Sequence, residues 1–422
     1  MKNIYSIFIC AIMAIMVSSC SKDEVKTNPT TPPVVVDPPV IVPDVLTTTN
    51  VKTYMVDPNA TAETVALFYN LKKLGKTKFA IGQQDALNYF YNNDSGTTDI
   101  KKATGFDPVI LGSDLERITA KENTGIDGNW WYGEQKKIIA DTKEAYAKGM
   151  VNIFCWHVRE PFNENSFYAK DLTATEKATA FKSILPGGSN HDWYKGKLDK
   201  IAAVVANLKG ANGELIPIIF RPFHEFDGNW FWWGASYCTP DDYKIAFKFT
   251  VDYLKNTKGL HNILYSFSPD NSYTTESGYL SRYPGDSYVD VLGMDNYGDL
   301  ASGRGQTGSD LANNKLKYMS EYAISKVKIA AMTETGWQVT STTAPVSGWF
   351  SNYLYNTLTA NNIQISFVMF WNNGNYKDTG SAKSNYYVPV PGTSNVSDFA
   401  GFATKPKAAL LNSIPKMYVL PQ

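Results

Sequence analysis

Glu225 stands in the string Arg221-Pro222-Phe223-His224-Glu225-Phe226-Asp227-Gly228-Asn229-Trp230-Phe231-Trp232-Trp233-Gly234, directly after the apolar run 215–220. A short, continuously apolar run reads as a buried strand. Glu225 therefore falls near a strand's C-terminal end, with a histidine beside it and Trp230, Trp232 and Trp233 just beyond. An acid in such a place suits a proton donor, because apolar surroundings disfavour its ionised form. Indole faces suit a flat, partly apolar ligand such as a sugar ring. A second acid, Glu334, follows the run 327–332 in the string Thr333-Glu334-Thr335-Gly336-Trp337. Two carboxyls are what glycosidic bond cleavage requires, one protonating the leaving oxygen and one acting as nucleophile or base.

Something must bring two acids so far apart in sequence to one place. Eight short apolar runs lie along the chain, at 79–82, 109–112, 151–156, 215–220, 263–267, 289–294, 327–332 and 365–371. Continuous apolarity fits parallel strands buried on both faces. Amphipathic stretches at 62–74, 134–148, 193–208, 241–255 and 311–325 separate most of them. Strand–helix alternation repeated eight times predicts an α/β fold, the (β/α)8 TIM barrel. The gap between the third and fourth runs is the longest and leaves room for an extra helix and a long loop over 160–192.

Polar residues gather just after the runs. Gln83, Gln84 and Asp85 follow the first, Asp114 and Glu116 the second, and His157, Arg159 and Glu160 the third. His224 and Glu225 follow the fourth, Asp270 the fifth, Asp295 and Tyr297 the sixth, Glu334 the seventh, and Asn372 and Asn373 the eighth. In a barrel these ends share one face, where the active sites of this architecture lie. The fourth and seventh strand ends face each other across the mouth, so Glu225 and Glu334 can reach the roughly 5–5.5 Å separation of a retaining pair. Phe226 and Trp230 are placed to raise the acid's pKa, and Tyr297 or His224 to hold the other carboxylate ionised. Blander readings stand beside these. Glu225 can pair with Arg221, both histidines can be core residues, and Trp130, Trp131, Trp232 and Trp233 can be packing rather than ligand surface. Asp114 and Asp270 are weaker candidates.

The chain has 422 residues, with 40 Lys+Arg and 40 Asp+Glu. That balance argues against a nucleic-acid partner, which draws a basic excess, and favours a neutral one such as a polysaccharide. Residues 1–19 have a basic start and a short apolar core, as a secretory signal does. The ending Val17-Ser18-Ser19-Cys20 resembles a bacterial lipobox, which makes Cys20 the expected lipidation site. The Ser21-Lys22-Asp23-Glu24 that follows resembles signals for the outer cell surface. Residues 20–48 are proline-rich and read as a semi-rigid linker, and 49–422 as the catalytic domain. Cys155 and Cys238 are the remaining pair of possible disulfide partners besides Cys10 in the signal. No CxxC or HExxH occurs, so no metal is indicated, and the chemistry calls for no cofactor.

The set Arg221-Pro222-Phe223-His224-Glu225 with Trp230, together with Thr333-Glu334, resembles glycoside hydrolase family 26, the β-mannanase family of clan A, across most of 60–415. The resemblance implies that Glu225 is the acid/base and Glu334 the nucleophile. Trp156-His157 matches a family pair whose histidine lies near the scissile sugar. Asp295-Asn296-Tyr297 matches an Asp-x-Tyr whose tyrosine bonds the nucleophile, Trp371 a tryptophan that floors the −1 sugar, and Trp230 one that lines the cleft. His157, His224, Trp230, Asp295, Tyr297 and Trp371 are thus expected to bind substrate. Some members carry arginine after the strand-eight tryptophan, where this chain has Asn372, which implies a weaker hold on a distal sugar. The expectation is a monomeric outer-membrane lipoprotein that acts as a retaining endo-β-1,4-mannanase on mannan, glucomannan or galactomannan and releases manno-oligosaccharides. The alternatives are action on mixed-linkage β-glucan or β-1,3-xylan, exo-action releasing mannobiose, and a non-catalytic carbohydrate-binding lipoprotein.

Overall fold

A computed structural model describes residues 45–374 and 385–422. The signal sequence, Cys20 and nearly all of the proline-rich stretch lie outside the described residues. Eight strands form the centre: β1 (Phe79–Gln84), β2 (Ile110–Asp114), β3 (Val151–Cys155), β4 (Ile218–Arg221), β5 (Ile263–Phe267), β6 (Val291–Asn296), β7 (Ile329–Thr335) and β8 (Phe367–Phe370). Each pairs in parallel with its sequence neighbours, and β1 pairs with both β8 and β2, closing the barrel. A two-residue strand, β9 (Ala408–Ala409), pairs in parallel with the first two residues of β1. Every residue of the eight strands is buried, which is why they read as continuous apolar runs.

The helices follow from ordinary end signals. Thr239 caps the helix Pro240–Asp252 with a reciprocal capping box, with proline at its first position, and Thr173 forms a capping box with Glu176 for Ala174–Ile184. That second helix and His191–Val205 fill the long gap between β3 and β4. The expected helix over 134–148 instead starts at Trp130, because the Asn129 side chain accepts the Tyr132 amide at 3.0 Å. Its first turn therefore carries two tryptophans.

Most strands run further toward their C-terminal ends than the apolar runs do. Gln83 and Gln84, Ser113 and Asp114, Arg221, Asp295 and Asn296, and Thr333 to Thr335 are all strand residues. Polar residues here complete the ladder while their side chains meet one another at the mouth. At the other end of the domain, Leu46 is buried and its carbonyl accepts from Lys73 Nζ at 2.8 Å, so the packed fold begins just before residue 49. Cys155 and Cys238 are both free and buried.

Candidate active site

Glu225 lies four residues past the end of β4, in a tight turn. Phe223 and Glu225 both have left-handed backbone, with φ of 51° and 53°, a conformation disfavoured for side chains of this size and one found where surrounding structure enforces it. Four hydrogen bonds do so. The Glu225 amide donates to Ser268 O at 2.9 Å, and the Gly228 amide to Glu225 O at 3.1 Å. Trp233 Nε1 donates to His224 O at 2.7 Å and Tyr243 Oη to Phe223 O at 3.2 Å. Trp233, and likewise Trp232, is fully buried, so both serve as packing that fixes this turn.

Glu334 sits inside β7. Thr333 is an extra residue between the pairs Met294↔Met332 and Asp295↔Glu334. This bulge sets Glu334 beside Asp295 and frees the Thr333 hydroxyl, which donates to Asp295 Oδ1 at 2.7 Å; bulges commonly re-aim side chains next to active sites. Ser268 Oγ joins the same carboxylate at 3.0 Å. Gly293 makes room for the cluster, since a Cβ there would stand 2.6 Å from Thr333 Oγ1.

Glu225, Asp295 and Glu334 each offer a carboxylate oxygen within 4.8 Å of the others. Arg221, fully buried, donates to both Asp295 and Glu334, supplying the positive charge that a cation would otherwise bring. Arg221 thus pairs with Glu334 and Asp295, not with Glu225. Glu334 also accepts from Tyr297 Oη at 3.2 Å. Among the described residues no cation pairs with Glu225, and Trp230 Nε1 donates to it at 2.7 Å. Burial pushes the Glu225 carboxyl well above its ordinary value, and the charges of Asp295, Glu334 and Asp270 push it the same way, against the Trp230 hydrogen bond. Phe226 contributes little to this directly: it is buried against Tyr243 and Phe267.

The histidines form a chain. His157 Nδ1 contacts Asp114 Oδ2 at 2.7 Å, and His157 Nε2 lies 3.2 Å from His224 Nε2. Burial alone would lower the His157 pKa, but the charge and hydrogen bond of Asp114 outweigh it and raise the value. Burial, with Arg221 and His157 nearby, lowers that of His224 well below the ordinary range. The opposite shifts make His157 the member of the pair that takes up a proton more readily, and a proton on its Nε2 would point at His224 Nε2. His224 does not reach Glu334 among these bonds, so the donor expected there from either Tyr297 or His224 is Tyr297.

Glu225, Glu334, Trp230, Tyr297, His157 and Trp371 line one cavity of about 540 Å³, and Trp230 is 39% exposed at its rim. Asp295 differs from the substrate-contact expectation: it is wholly buried beneath the cleft, held by Arg221, Ser268 and Thr333. Asn372 turns to Asp85, donating to Oδ2 at 3.0 Å. Tyr387 was missed in the sequence. It faces Tyr297 at 6.1 Å between ring centroids and lines the same cavity. Gly336, with φ of 154°, gives it space, as a Cβ there would come within 2.4 Å of the Tyr387 ring. Nothing near Tyr387 in sequence marks it; the strand-end glycine after Thr335 was the available signal.

The model for "Glycosyl hydrolase family 26" matches residues 56–374. A mannan endo-1,4-beta-mannosidase of Bifidobacterium adolescentis is 33% identical over 363 residues, which cover 83% of this chain and 35% of that protein. The chain thus spans about a third of that curated relative's length. The structure of GH26C from Muricauda sp. MAR_2010_75 superposes with a TM-score of 0.86 at 49% identity, covering 89% of this chain and 99% of that one. A GH26 beta-mannanase from Bacteroides ovatus gives a TM-score of 0.74 at 31% identity, covering 85% and 98%.

Proposed function

The chain belongs to glycosyl hydrolase family 26, and from that premise we propose that it is a retaining, endo-acting β-1,4-mannanase that cleaves mannan, glucomannan or galactomannan. The observation that carries the reading is the pair Glu225 and Glu334, whose oxygens come within 4.8 Å in one cleft. That closeness suits direct attack by one carboxylate and leaves no room for the intervening water of an inverting enzyme. The surroundings assign the roles. Glu334, gripped by Arg221 and Tyr297, is the nucleophile. Glu225, kept protonated by burial and by neighbouring negative charge, is the acid.

In the first step Glu334 bonds to the anomeric carbon while Glu225 passes its proton to the departing glycosidic oxygen. In the second, Glu225 takes a proton from water as that water attacks the same carbon, and Glu334 leaves as a carboxylate. Arg221 and Tyr297 hold Glu334 in line. Trp371 and His157 lie where the attacked sugar rests, and Trp230 both steadies Glu225 and borders the leaving side. Incubation with galactomannan, linear mannan, lichenan and β-1,3-xylan tests the substrate. Mixed manno-oligosaccharides that vanish in both Glu225→Ala and Glu334→Ala support it. Mannobiose alone makes the action exo, and products from lichenan or xylan only would move the substrate.

The lipobox-like ending at Cys20 supports a second proposal, that the protein acts as a monomer anchored in the outer membrane and exposed at the cell surface. Membrane fractionation of Cys20→Ala tests the anchor: the variant should move to the soluble fraction, and unchanged membrane retention would refute lipidation there.

A further inference from the structure

The Cys155 thiol has no part in the cleavage described above, yet it lies in a cluster of donor atoms. Asp114, Cys155 and His157 each offer one such atom, and the three lie within 4.8 Å of one another. The strands bring them together. Asp114 ends β2 and pairs in register with Cys155, which ends β3, and His157 follows two residues later. Residues paired in register, and residues two apart on a strand, point to the same face. His157 Nδ1 is 2.7 Å from Asp114 Oδ2 and 3.9 Å from Cys155 Sγ. A carboxylate oxygen, an imidazole nitrogen and a sulfur are the ligand types that zinc takes.

The spacing is close to what such an ion needs. Zinc bonds of about 2.0–2.1 Å to nitrogen and oxygen and about 2.3 Å to sulfur set tetrahedral edges of about 3.3–3.6 Å. The nitrogen–oxygen edge must open by about 0.6 Å and the nitrogen–sulfur edge close by about 0.3 Å, which small side-chain rotations supply. The carboxylate is already oriented, because Asp114 Oδ1 accepts the Glu116 amide at 2.9 Å and the His157 amide at 3.2 Å. A fourth donor stands beside the sulfur. Gln84 is 1% exposed, its Nε2 lies 4.0 Å from Cys155 Sγ, and its buried Oε1 has no hydrogen-bond partner. Buried polar atoms are ordinarily satisfied, and turning this amide over brings its oxygen to the edge of the cluster. The nearby acids Glu225, Asp295 and Glu334 already hold the Arg221 guanidinium; the Asp114 cluster is joined by a hydrogen bond that a cation can replace. Asp114 and His157 also line a cavity of about 570 Å³ beside Trp371, so an ion reaches them from the cleft.

We propose that Asp114, Cys155 and His157, with Gln84, form a site for a thiophilic divalent cation of the zinc class, and that its occupation slows glycoside cleavage. The cation replaces the hydrogen between Asp114 and His157 Nδ1, and the Cys155 thiol becomes a thiolate. Both protons pass to water, and no oxidation state changes. His157 borders the cleft where the attacked sugar rests, so the ion clamps that ring and sets positive charge beneath the sugar. The binding step itself needs no substrate and stands apart from the mannanase reading.

Cadmium is the probe, because its thiolate complexes absorb in the ultraviolet by charge transfer from sulfur. The chain has four cysteines, so the full chain carrying Cys10→Ala, Cys20→Ala and Cys238→Ala keeps Cys155 as its one thiol. Titration should raise the charge-transfer band to saturation at one ion per chain. Hydrolysis of whichever glycan the parent cleaves should fall with the same midpoint. Asp114→Asn in that chain should keep the band but weaken binding at least about tenfold. Cys155→Ala, made in the parent, should escape the inhibition, read as its rate with cadmium relative to its rate without. If the single-cysteine chain does not fold, the comparison of the parent with Cys155→Ala decides by the same two readouts. No band from Cys155, a band without loss of rate, or equal inhibition of Cys155→Ala would overturn the site.

Discussion

Glu225 and Glu334 are chemically identical side chains in one cleft, and their partners divide the work. Glu334 is held by a guanidinium and a phenol. Glu225 has an indole donor and three negative neighbours, and its pKa rises above the ordinary 4.5. The acid must be protonated to act, so activity is full below that raised pKa and declines as pH climbs through it. The alkaline limb of kcat/KM should therefore lie well above pH 4.5; a limb near 4.5 would contradict the assignment. A second consequence concerns the leaving group. Glu225→Gln should slow cleavage of a manno-oligosaccharide by about 10²–10⁴-fold, the usual worth of general acid catalysis. With a dinitrophenyl leaving group, which needs no proton, glycosyl-enzyme formation should slow far less. Equal losses in pre-steady-state bursts would remove Glu225 from the acid role. Both glutamates were legible because strand-end position and flanking aromatics are local features. Arg221 was not: sequence proximity favours Glu225 as its partner, whereas the side chain, at the last position of β4, points across the barrel to β6 and β7.

At the scale of elements, Arg221 ties three strands together, and its two acceptors are buried with it. Removing one member of a buried ionic cluster leaves uncompensated charge and costs about 3–5 kcal/mol. Arg221→Ala should lose that much in chemical denaturation, besides its loss of activity; a change under about 1 kcal/mol would show that the acids relax by taking up protons. Gly293→Ala tests the packing behind the same cluster. Its Cβ would sit 2.6 Å from Thr333 Oγ1 and 3.1 Å from Ser268 Cβ, so overpacking should cost about 1–3 kcal/mol, and an unchanged Tm would contradict it. Strand centres were readable from apolar runs, but strand ends were not, because the last rungs carry the polar residues that face the mouth. The start of the helix Trp130–Lys148 was missed for a related reason: two tryptophans on a cleft wall break the amphipathic pattern, and only the Asn129 cap signals it.

Across the whole molecule, eight strand ends converge because the barrel closes through β1 and β2, and every part of the cleft depends on that closure. All the cleft residues described lie from Val45 onward, so residues 45–422 alone should hydrolyse soluble galactomannan with the same kcat as the longer chain; a large deficit would mean that the preceding residues take part. The barrel was legible from repetition, which needs no long-range information. Tyr387 and the pairing of Asp114 with His157 were not, because they depend on how distant loops meet over the mouth. The central claim is that Glu334 attacks the anomeric carbon of a β-mannoside and is displaced by water. Proton NMR of the first products from mannohexaose tests it most directly. The account predicts that the β-anomer appears first and later equilibrates, and that no product forms with Glu334→Ala; a first-formed α-anomer, or undiminished cleavage by that variant, would contradict it.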